Sequence, residues 1–368
     1  AAAGLPVTDL AELTGYPAIL GHRVVTLHPV IHGGLLADLH QPDHVAELDQ
    51  YGIEPFALAV VNLYPFVSEP GIELIDIGGP TLIRAAAKNH AHVGVVMDPD
   101  QYDPVLAELR AGGALSAATR RALAAHAFAQ IAAYDAEIAT WFAQPDTTVA
   151  EPGSGDALPA TLHLSLELAQ PLRYGENPHQ HGARYRRIGA DSWWDHAVQH
   201  GGKELSYLNV YDTEAAWRMV QRFDQPAVVI VKHANPCGVA VDADISQAYV
   251  RANACDPVSA FGGIVAVNRQ VTLASAEALA PVFTEVVVAP GYDDDALAVL
   301  TAKKNMRVLS APAPTGAAFD VRSVDGGLLV QNADTVNLDR STWKVVTEAQ
   351  PTSEQWDDLA FAWVVCAG

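Results

Sequence analysis

The sequence predicts an α/β protein with largely buried strands, and three observations on its 368 residues support this class. Segments with helical spacing alternate with short apolar runs that are typical of strands. These runs are nearly continuous rather than alternating in polarity, as expected of strands covered on both faces. The length favours two domains or three. The strand-like runs are 56–63, 93–97, 227–233, 263–268 and 285–290.

The segments between these runs define the expected organisation of the chain. Residues 116–141 carry apolar side chains three and four positions apart, which predicts one long amphipathic helix. Residues 310–327 are rich in Pro, Gly and Ser and predict a long surface loop before a strand at 327–332. A cluster of Pro, Gly, Ser, Thr and Asp after the long helix predicts a domain boundary. We expect a first domain over 1–145, a linker over 146–160 and a second region over 161–368.

The charge balance limits the classes of partner. With 22 basic and 43 acidic residues the net charge is −21, which repels nucleic acid and anionic membranes, so neither is an expected partner. An anionic substrate must then be held by individually placed Arg, Lys and backbone amides. The three cysteines, Cys237, Cys255 and Cys366, predict a reducing compartment. No apolar run reaches the roughly 18 residues of a membrane span, and we expect a cytoplasmic protein.

Several familiar motifs are absent. The sequence GGK at 201–203 lacks the spacing of a P-loop, and no GxGxxG occurs. Pro236 and Cys237 are not followed by the second Cys of a zinc deaminase, so zinc catalysis is not expected. His28 and His32 have the spacing of a metal pair on a helix, but Pro29 and the following Gly-Gly pair are expected to interrupt that helix. A buried turn with hydrogen-bonded histidines is the alternative that we favour.

A first group of candidate residues lies in the N-terminal part of the chain. In 75–90, Gly78 and Gly79 allow close backbone approach, and the free amides of the following helical turn predict an anion site beside Asp76. Lys88 follows about two turns later, either as a catalytic amine or as a cation that relieves the negative helix end. Tyr64 follows a strand, either as a ligand group or as a tyrosine packed under a loop.

A second group follows a buried strand of the second region. Residues 229–241 deliver adjacent Lys232 and His233 to the carboxyl end of this strand. Adjacent cations disfavour each other's charge, so the pattern predicts a neutral His233 that can act as a general base. The alternative is a Lys-His pair that merely ends a strand at the surface. The turn at 172–180 offers Arg, Tyr and Asn to a phosphate or a carboxamide.

Taken in order, six segments resemble the family of bifunctional phosphoribosylaminoimidazolecarboxamide (AICAR) formyltransferase/IMP cyclohydrolases. The resemblance implies a methylglyoxal-synthase-like cyclohydrolase domain, then a zinc-free, cytidine-deaminase-like transformylase region. It also implies a homodimer that uses 10-formyltetrahydrofolate as co-substrate and takes AICAR through formyl-AICAR (FAICAR) to IMP. The segments are VVTLHPVIHGG, NLYPF, IDIGGPTLIRAAAKNH, LRYGENPHQ, VKHANPCG and DPVSAFGGIVAVN.

The same resemblance implies roles for individual residues. Lys232 and His233 match the pair that catalyses formyl transfer, while Lys88, Asp76 and Tyr64 match residues that catalyse ring closure. The substrate contacts implied for formyl transfer are Arg173, Tyr174, Asn177, Gly262 and Glu285. Those implied for ring closure are Arg23, Thr26, Asn62, Ile77 and Gly78.

The sequence departs from the family pattern at two positions. Val25 replaces a lysine of the family segment RVKTLHP, which predicts impaired cyclisation, and Glu285 stands where the family has Asp. The family's first phosphate-binding segment is expected before Ala1, and its KSN segment and most of a second transformylase subdomain after Gly368. Two alternatives remain, a non-catalytic homologue that binds purine ribonucleotides and keeps the dimer scaffold, and a sugar-phosphate lyase. The lyase does not account for residues 160 to 368.

Overall fold

The computed structural model describes residues 4, 6–143, 158–316, 319–334 and 338–367. The chain divides into two units, Ala1–Ser165 and Leu166–Gly368. Most of the predicted linker, 146–157, lies outside the described residues. In the parts that are described, no helix has both the length and the apolar character needed to cross a bilayer.

The first unit packs helices around a short parallel pair of strands, which join Leu58 to Gly94 and Val60 to Val96. Both strands fall inside predicted runs. The long helix is confirmed, and its residues Leu123, Ala127 and Ile131 are buried in the core. The elements are α1 (Leu10–Thr14), α2 (Pro29–Leu36), α3 (Pro42–Tyr51), β1 (Leu58–Val60), α4 (Gly78–Lys88), β2 (Gly94–Val96), α5 (Tyr102–Gly112) and α6 (Ala117–Ala143), with 3-10 turns at Ile72–Leu74 and Pro99–Gln101.

Helix α2 corrects the expectation that Pro29 and the Gly-Gly pair interrupt a helix. Pro29 is its first residue, a position where a missing N–H costs nothing. Gly34 lies inside the helix, where a Cβ would come 2.6 Å from the Glu54 carbonyl oxygen. The glycine therefore permits close packing of α2 against the segment before β1 and does not end the helix.

The second unit is built on a six-stranded mixed sheet and two antiparallel hairpins. Its elements are β3 (Leu166–Leu172), β4 (Gly182–Arg187), α7 (Trp193–His196), β5 (Val198–Gly201), α8 (Tyr207–Val220), β6 (Ala227–Lys232), β7 (Asn235–Val241), α9 (Ile245–Cys255), α10 (Pro257–Ala260), β8 (Gly263–Val267), α11 (Leu273–Leu279), β9 (Thr284–Ala289), α12 (Asp294–Thr301), β10 (Arg307–Ser310), β11 (Phe319–Val324), β12 (Gly327–Asn332), a 3-10 turn at Arg340–Thr342 and α13 (Ser353–Ala367).

The central sheet has the order β5-β10-β9-β8-β6-β7, with β8, β9 and β10 parallel and the other neighbours antiparallel. The strands β6, β8 and β9 in its interior are covered on both faces, as their continuous apolar runs predict. Along β6, Val229 and Val231 pack with Trp217 of α8, whereas Val228 and Ile230 pack with α9 and α11. Alternation along the strand thus divides one apolar run between two cores.

Part of the predicted surface loop at 310–327 is a strand, which corrects that expectation. β11 pairs with β12 in register from Phe319 with Asn332 to Val324 with Gly327. The two-residue turn between them is Asp325-Gly326, whose glycine has a φ of 74°. The strand predicted at 327–332 is confirmed as β12, whereas β11 was not predicted because most of its side chains are exposed and show no apolar periodicity.

Candidate active sites

A cavity of about 600 Å³ in the first unit brings together most of the residues that the resemblance implies for ring closure. It lies where the loop after α1, the end of β1 and the N-terminus of α4 meet. Lys88 is not among its lining residues. The cavity is lined by the other residues implied for ring closure, which are Arg23, Thr26, Asn62, Tyr64, Asp76, Ile77 and Gly78.

Asp76 is fixed at the N-terminus of α4. Its Oδ1 accepts a hydrogen bond of 2.7 Å from the Gly79 amide, so this carboxylate engages an amide that the sequence assigned to an anion site. The Asp76 amide donates to Tyr134 Oη at 2.8 Å, and the Tyr134 hydroxyl donates to the Leu74 carbonyl at 3.0 Å. Burial raises the pKa of Tyr134, although the bond from Asp76 opposes this. Tyr134 was not anticipated from the sequence.

Among the residues implied for ring closure, Arg23 is the basic side chain that lines this cavity. Arg23 forms an ion pair with Glu73, which also lines the cavity, and both side chains are exposed. Val25 lines the cavity with an aliphatic side chain where the family has an amine. His22 also lines it and adopts a φ of 70°, a left-handed conformation that is uncommon for a residue other than glycine.

The structure places Lys88 away from this cavity. It is the last of the 11 residues of α4, and a helix of that length spans about 15 Å. Lys88 instead lines a second cavity of about 590 Å³, together with His32, Arg84 and His90. Its position at the helix C-terminus fits a cation that relieves the negative end of the helix. Its catalytic role stays a prediction.

In the second unit, Lys232 ends β6 and lies beside Gly262. Its Nζ donates to the Phe261 carbonyl at 2.8 Å. Gly262 has a φ of 71°, and a Cβ there would come 3.3 Å from Lys232 Nζ, so glycine suits both the backbone and the space. The Gly262 amide donates to the Phe283 carbonyl at 2.7 Å. The structure therefore brings together two residues that are 30 positions apart.

His233 occupies a strained turn. With Ala234 it forms the two-residue loop between β6 and β7, and the φ values of 53° and 59° are both positive, as in a type I′ turn. Neither residue is glycine, and such conformations cost on the order of 1–3 kcal/mol each. The Ala234 amide donates to Asp212 Oδ1 at 2.9 Å. His233 is exposed, so its imidazole is available to a substrate.

Glu285 belongs to a charged network at the start of β9. Its Oε2 accepts a bond of 2.7 Å from Asn209 Nδ2 and lies 3.5 Å from Arg307 Nη1. Burial lowers the pKa of Arg307, while the charge of Glu285 raises it and that of Arg173 lowers it. Burial has the opposite effect on Asp212 and raises its pKa, while the amides of Ala234 and His233 lower it. The charge of Glu285 also raises the pKa of Asp212, and Asp212 bonds the Ala234 amide, so these charges are coupled from Arg173 to the Lys-His turn.

The Arg-Tyr turn lies at the other end of this network. The Arg173 guanidinium stacks 4.7 Å from the centre of the Tyr174 ring, and its Nη2 donates to Tyr174 Oη at 3.0 Å. Tyr207, at the start of α8, donates its amide to the Tyr174 carbonyl at 3.3 Å. Asn177 instead bonds Gln180 within its own turn, at 3.1 Å from Nδ2 to Oε1.

The sequence did not indicate Asn209, Asp212 or Arg307. Asn209 forms a capping box with Ser206, and this local role gives no indication of its bond to Glu285. Asp212 and Arg307 are polar residues within buried elements, which is the one signal that could have indicated them.

The favoured buried turn with hydrogen-bonded histidines is wrong, because His28 and His32 lie at the start of and inside helix α2 and are half-buried. His28 caps α2, because its Nδ1 accepts from the Val30 amide at 3.3 Å, while His32 Nε2 is buried without a partner in the structure. Within the described ranges, no group of three or more His, Cys, Asp or Glu side chains could hold a metal ion.

The fold and these clusters define an α/β protein with two separate groups of acid, base and cation side chains, one in each unit. Comparison with known proteins agrees with a bifunctional class. A family model described as "AICARFT/IMPCHase bienzyme" matches residues 86–368. The chain therefore belongs to the AICARFT/IMPCHase bienzyme family.

Individual relatives are similar over nearly the whole chain. Two proteins named "Bifunctional purine biosynthesis protein PurH", from Bacillus cereus strain AH820 and Bacillus anthracis strain CDC 684, are each 48% identical over 374 residues. Each match covers 98% of this chain and 72% of the relative. A solved structure titled "Crystal structure of ForH" is 40% identical over 38% of this chain and 77% of its own, with a TM-score of 0.35.

Proposed function

We propose that this protein catalyses two consecutive steps of purine biosynthesis, formyl transfer to AICAR and closure of FAICAR to IMP. Family membership supports both activities. The observation that carries the proposal is the gathering of Arg23, Thr26, Asn62, Tyr64 and Asp76 around one cavity. These residues come from three separate sequence segments. The second unit provides the other site, with Lys232 and Gly262 in contact.

Formyl transfer takes place in the second unit, with 10-formyltetrahydrofolate as co-substrate. The AICAR amine is a poor nucleophile, because its lone pair is delocalised into the ring, so it must lose a proton as it attacks the formyl carbon. His233 takes that proton. Lys232 stabilises the developing negative charge or protonates the departing folate nitrogen. Arg173 and Tyr174 hold AICAR, and Glu285 contacts its base.

Ring closure takes place in the first unit. The carboxamide nitrogen of FAICAR attacks the formamide carbon, and the formyl oxygen leaves as water. Asp76 and Tyr64 transfer the protons, and the Gly78 backbone, with Thr26 and Asn62, positions the substrate. Lys88 lines a different cavity from Asp76 and Tyr64, so this step is assigned without it.

The finer assignments follow from the same proposal. The first unit is the methylglyoxal-synthase-like cyclohydrolase domain, and the second belongs to the cytidine-deaminase-like transformylase region, which uses no zinc. The enzyme is a cytoplasmic homodimer. One observation favours a second candidate, a homologue that binds purine ribonucleotides without closing the ring: Val25 lines the cavity without supplying a cation.

An assay that separates the two steps tests the proposal. The complete gene product is incubated with AICAR and 10-formyltetrahydrofolate, and separately with FAICAR alone. We expect tetrahydrofolate and IMP in the first reaction and IMP in the second. Binding of IMP without turnover of FAICAR would favour the second candidate, and no reaction with either substrate would exclude the proposed enzyme.

A further inference from the structure

The Lys-His turn depends on a contact from outside the hairpin. Both residues of the loop have positive φ values, at 53° for His233 and 59° for Ala234. Pairing of Lys232 with Asn235 closes the hairpin, and Asn235 Nδ2 donates to the His233 carbonyl at 2.8 Å. Neither contact satisfies the loop amides. A turn of this type prefers glycine or asparagine, so an alanine in the second position needs external support.

Asp212 supplies that support from helix α8. Its Oδ1 accepts from the Ala234 amide at 2.9 Å, and the nearby His233 amide lowers the pKa of the same carboxylate. Asp212 is 9% exposed, so this hydrogen bond forms away from bulk water. The helix itself is fixed in the core by Trp217, whose exposure is 0%.

We propose that Asp212 is a positioning residue for formyl transfer, holding the His233–Ala234 turn in the left-handed conformation that presents the imidazole to the substrate. This inference rests on the proposed formyl transfer by the second unit. Asp212 acts through the main chain and need not exchange a proton. An uncharged oxygen at the same place should therefore serve nearly as well as a carboxylate.

Variants at two positions test the proposal in the complete gene product. Asp212→Ala removes the acceptor, and we expect kcat for formyl transfer to fall on the order of 10²-fold, with KM for AICAR little changed, because misplacement of a catalytic group affects the transition state. Asp212→Asn keeps an acceptor oxygen and should retain most of the activity. Ala234→Gly in the Asp212→Ala background removes the backbone penalty and should restore much of the lost rate.

Further variants keep the test decisive if Asp212→Ala does not fold. Ala234→Val leaves Asp212 in place but places a branched side chain at a positive φ, and should lower kcat. Asp244→Ala is the matched control, since Asp244 also accepts a main-chain amide, from Ser246 at 2.9 Å, but caps α9. It should not change kcat.

Hydrogen exchange of the Ala234 amide reports the contact without catalysis. We expect protection in the wild type and in Asp212→Asn, and its loss in Asp212→Ala. Wild-type kcat in Asp212→Ala or Ala234→Val would overturn the proposal. So would equal loss in folded Asp212→Asn, which would indicate a role for the charge. A wild-type enzyme that protects this amide but transfers no formyl group would contradict the proposed function and leave the contact established.

Discussion

Asn209 Nδ2 lies 2.7 Å from Glu285 Oε2, a contact that joins α8 to the start of β9 across 76 positions of sequence. It restrains a carboxylate that is 39% exposed and that we expect to contact the base of AICAR. The same asparagine also caps α8 through Ser206. Its two roles can be separated by mutation.

Asn209→Ala should raise KM for AICAR about fivefold, because loss of one hydrogen bond of about 1 kcal/mol leaves Glu285 less restrained. Ser206→Ala serves as the control, since it removes the capping bond but not the contact with Glu285. Both variants should lower the free energy of unfolding by about 1 kcal/mol. Initial rates across a range of AICAR concentrations provide the comparison, and an equal KM in the two variants would show that Glu285 does not act on the substrate.

Two tyrosines of the second unit, the buried Tyr249 and the half-buried Tyr292, provide a matched pair for stability. The Tyr249 hydroxyl is buried without a hydrogen-bond partner in the described structure, whereas Tyr292 Oη lies 2.8 Å from the Leu309 carbonyl. Tyr249→Phe should leave the free energy of unfolding unchanged or increase it, while Tyr292→Phe should lower it by about 1–2 kcal/mol. Urea denaturation measures both free energies of unfolding. A larger loss in Tyr249→Phe than in Tyr292→Phe would contradict this account.

The same tyrosine predicts a loss of stability at alkaline pH. Burial raises the pKa of Tyr249 from 10.0 to about 12. The folded state therefore holds its proton where the unfolded state releases it. This contribution is complete below about pH 10 and is lost as the pH rises from 10 towards 12, with a slope of at most about 1.4 kcal/mol per pH unit. Unfolding curves over this range should be less steep in pH for Tyr249→Phe, and an unchanged slope would argue against the raised pKa.

Val25→Lys should increase the rate of ring closure, because the cavity would gain a cation near the site where negative charge develops. A single well-placed donor contributes on the order of 10²-fold, which sets an upper bound for the gain. Val25→Met adds comparable length without charge and should not accelerate the reaction. Turnover of FAICAR by the two variants distinguishes them. Equal rates would mean that another group already supplies this charge.

The sequence alone predicted the parts of the molecule that depend on local patterns. The strands at 227–232 and 263–267 and the helix at Ala117–Ala143 follow from apolar runs and helical spacing. Motif resemblance also named seven of the residues that line the first cavity, because each motif fixes the loop around it. The function of these residues stays a prediction until variants are assayed.

The features that were not predicted depend on contacts between residues far apart in sequence, which no local pattern indicates. Asp212 meets the Ala234 amide 22 positions away, and Arg307 reaches Glu285 from a neighbouring strand. Lys88 shares a motif with Asp76, yet it ends helix α4 and lines a different cavity. Strand β11 was missed because its exposed side chains lack an apolar face, although Asp325-Gly326 is a strong turn signal and β12 was predicted.

The central claim is that the two reactions occur at separate clusters, one in each unit. The most direct measurement is the rate of each reaction in His233→Ala and Tyr64→Phe variants of the complete gene product. We predict that His233→Ala loses formyl transfer and still closes FAICAR, while Tyr64→Phe slows ring closure and still transfers the formyl group. Loss of both reactions in either folded variant would contradict the assignment of two sites.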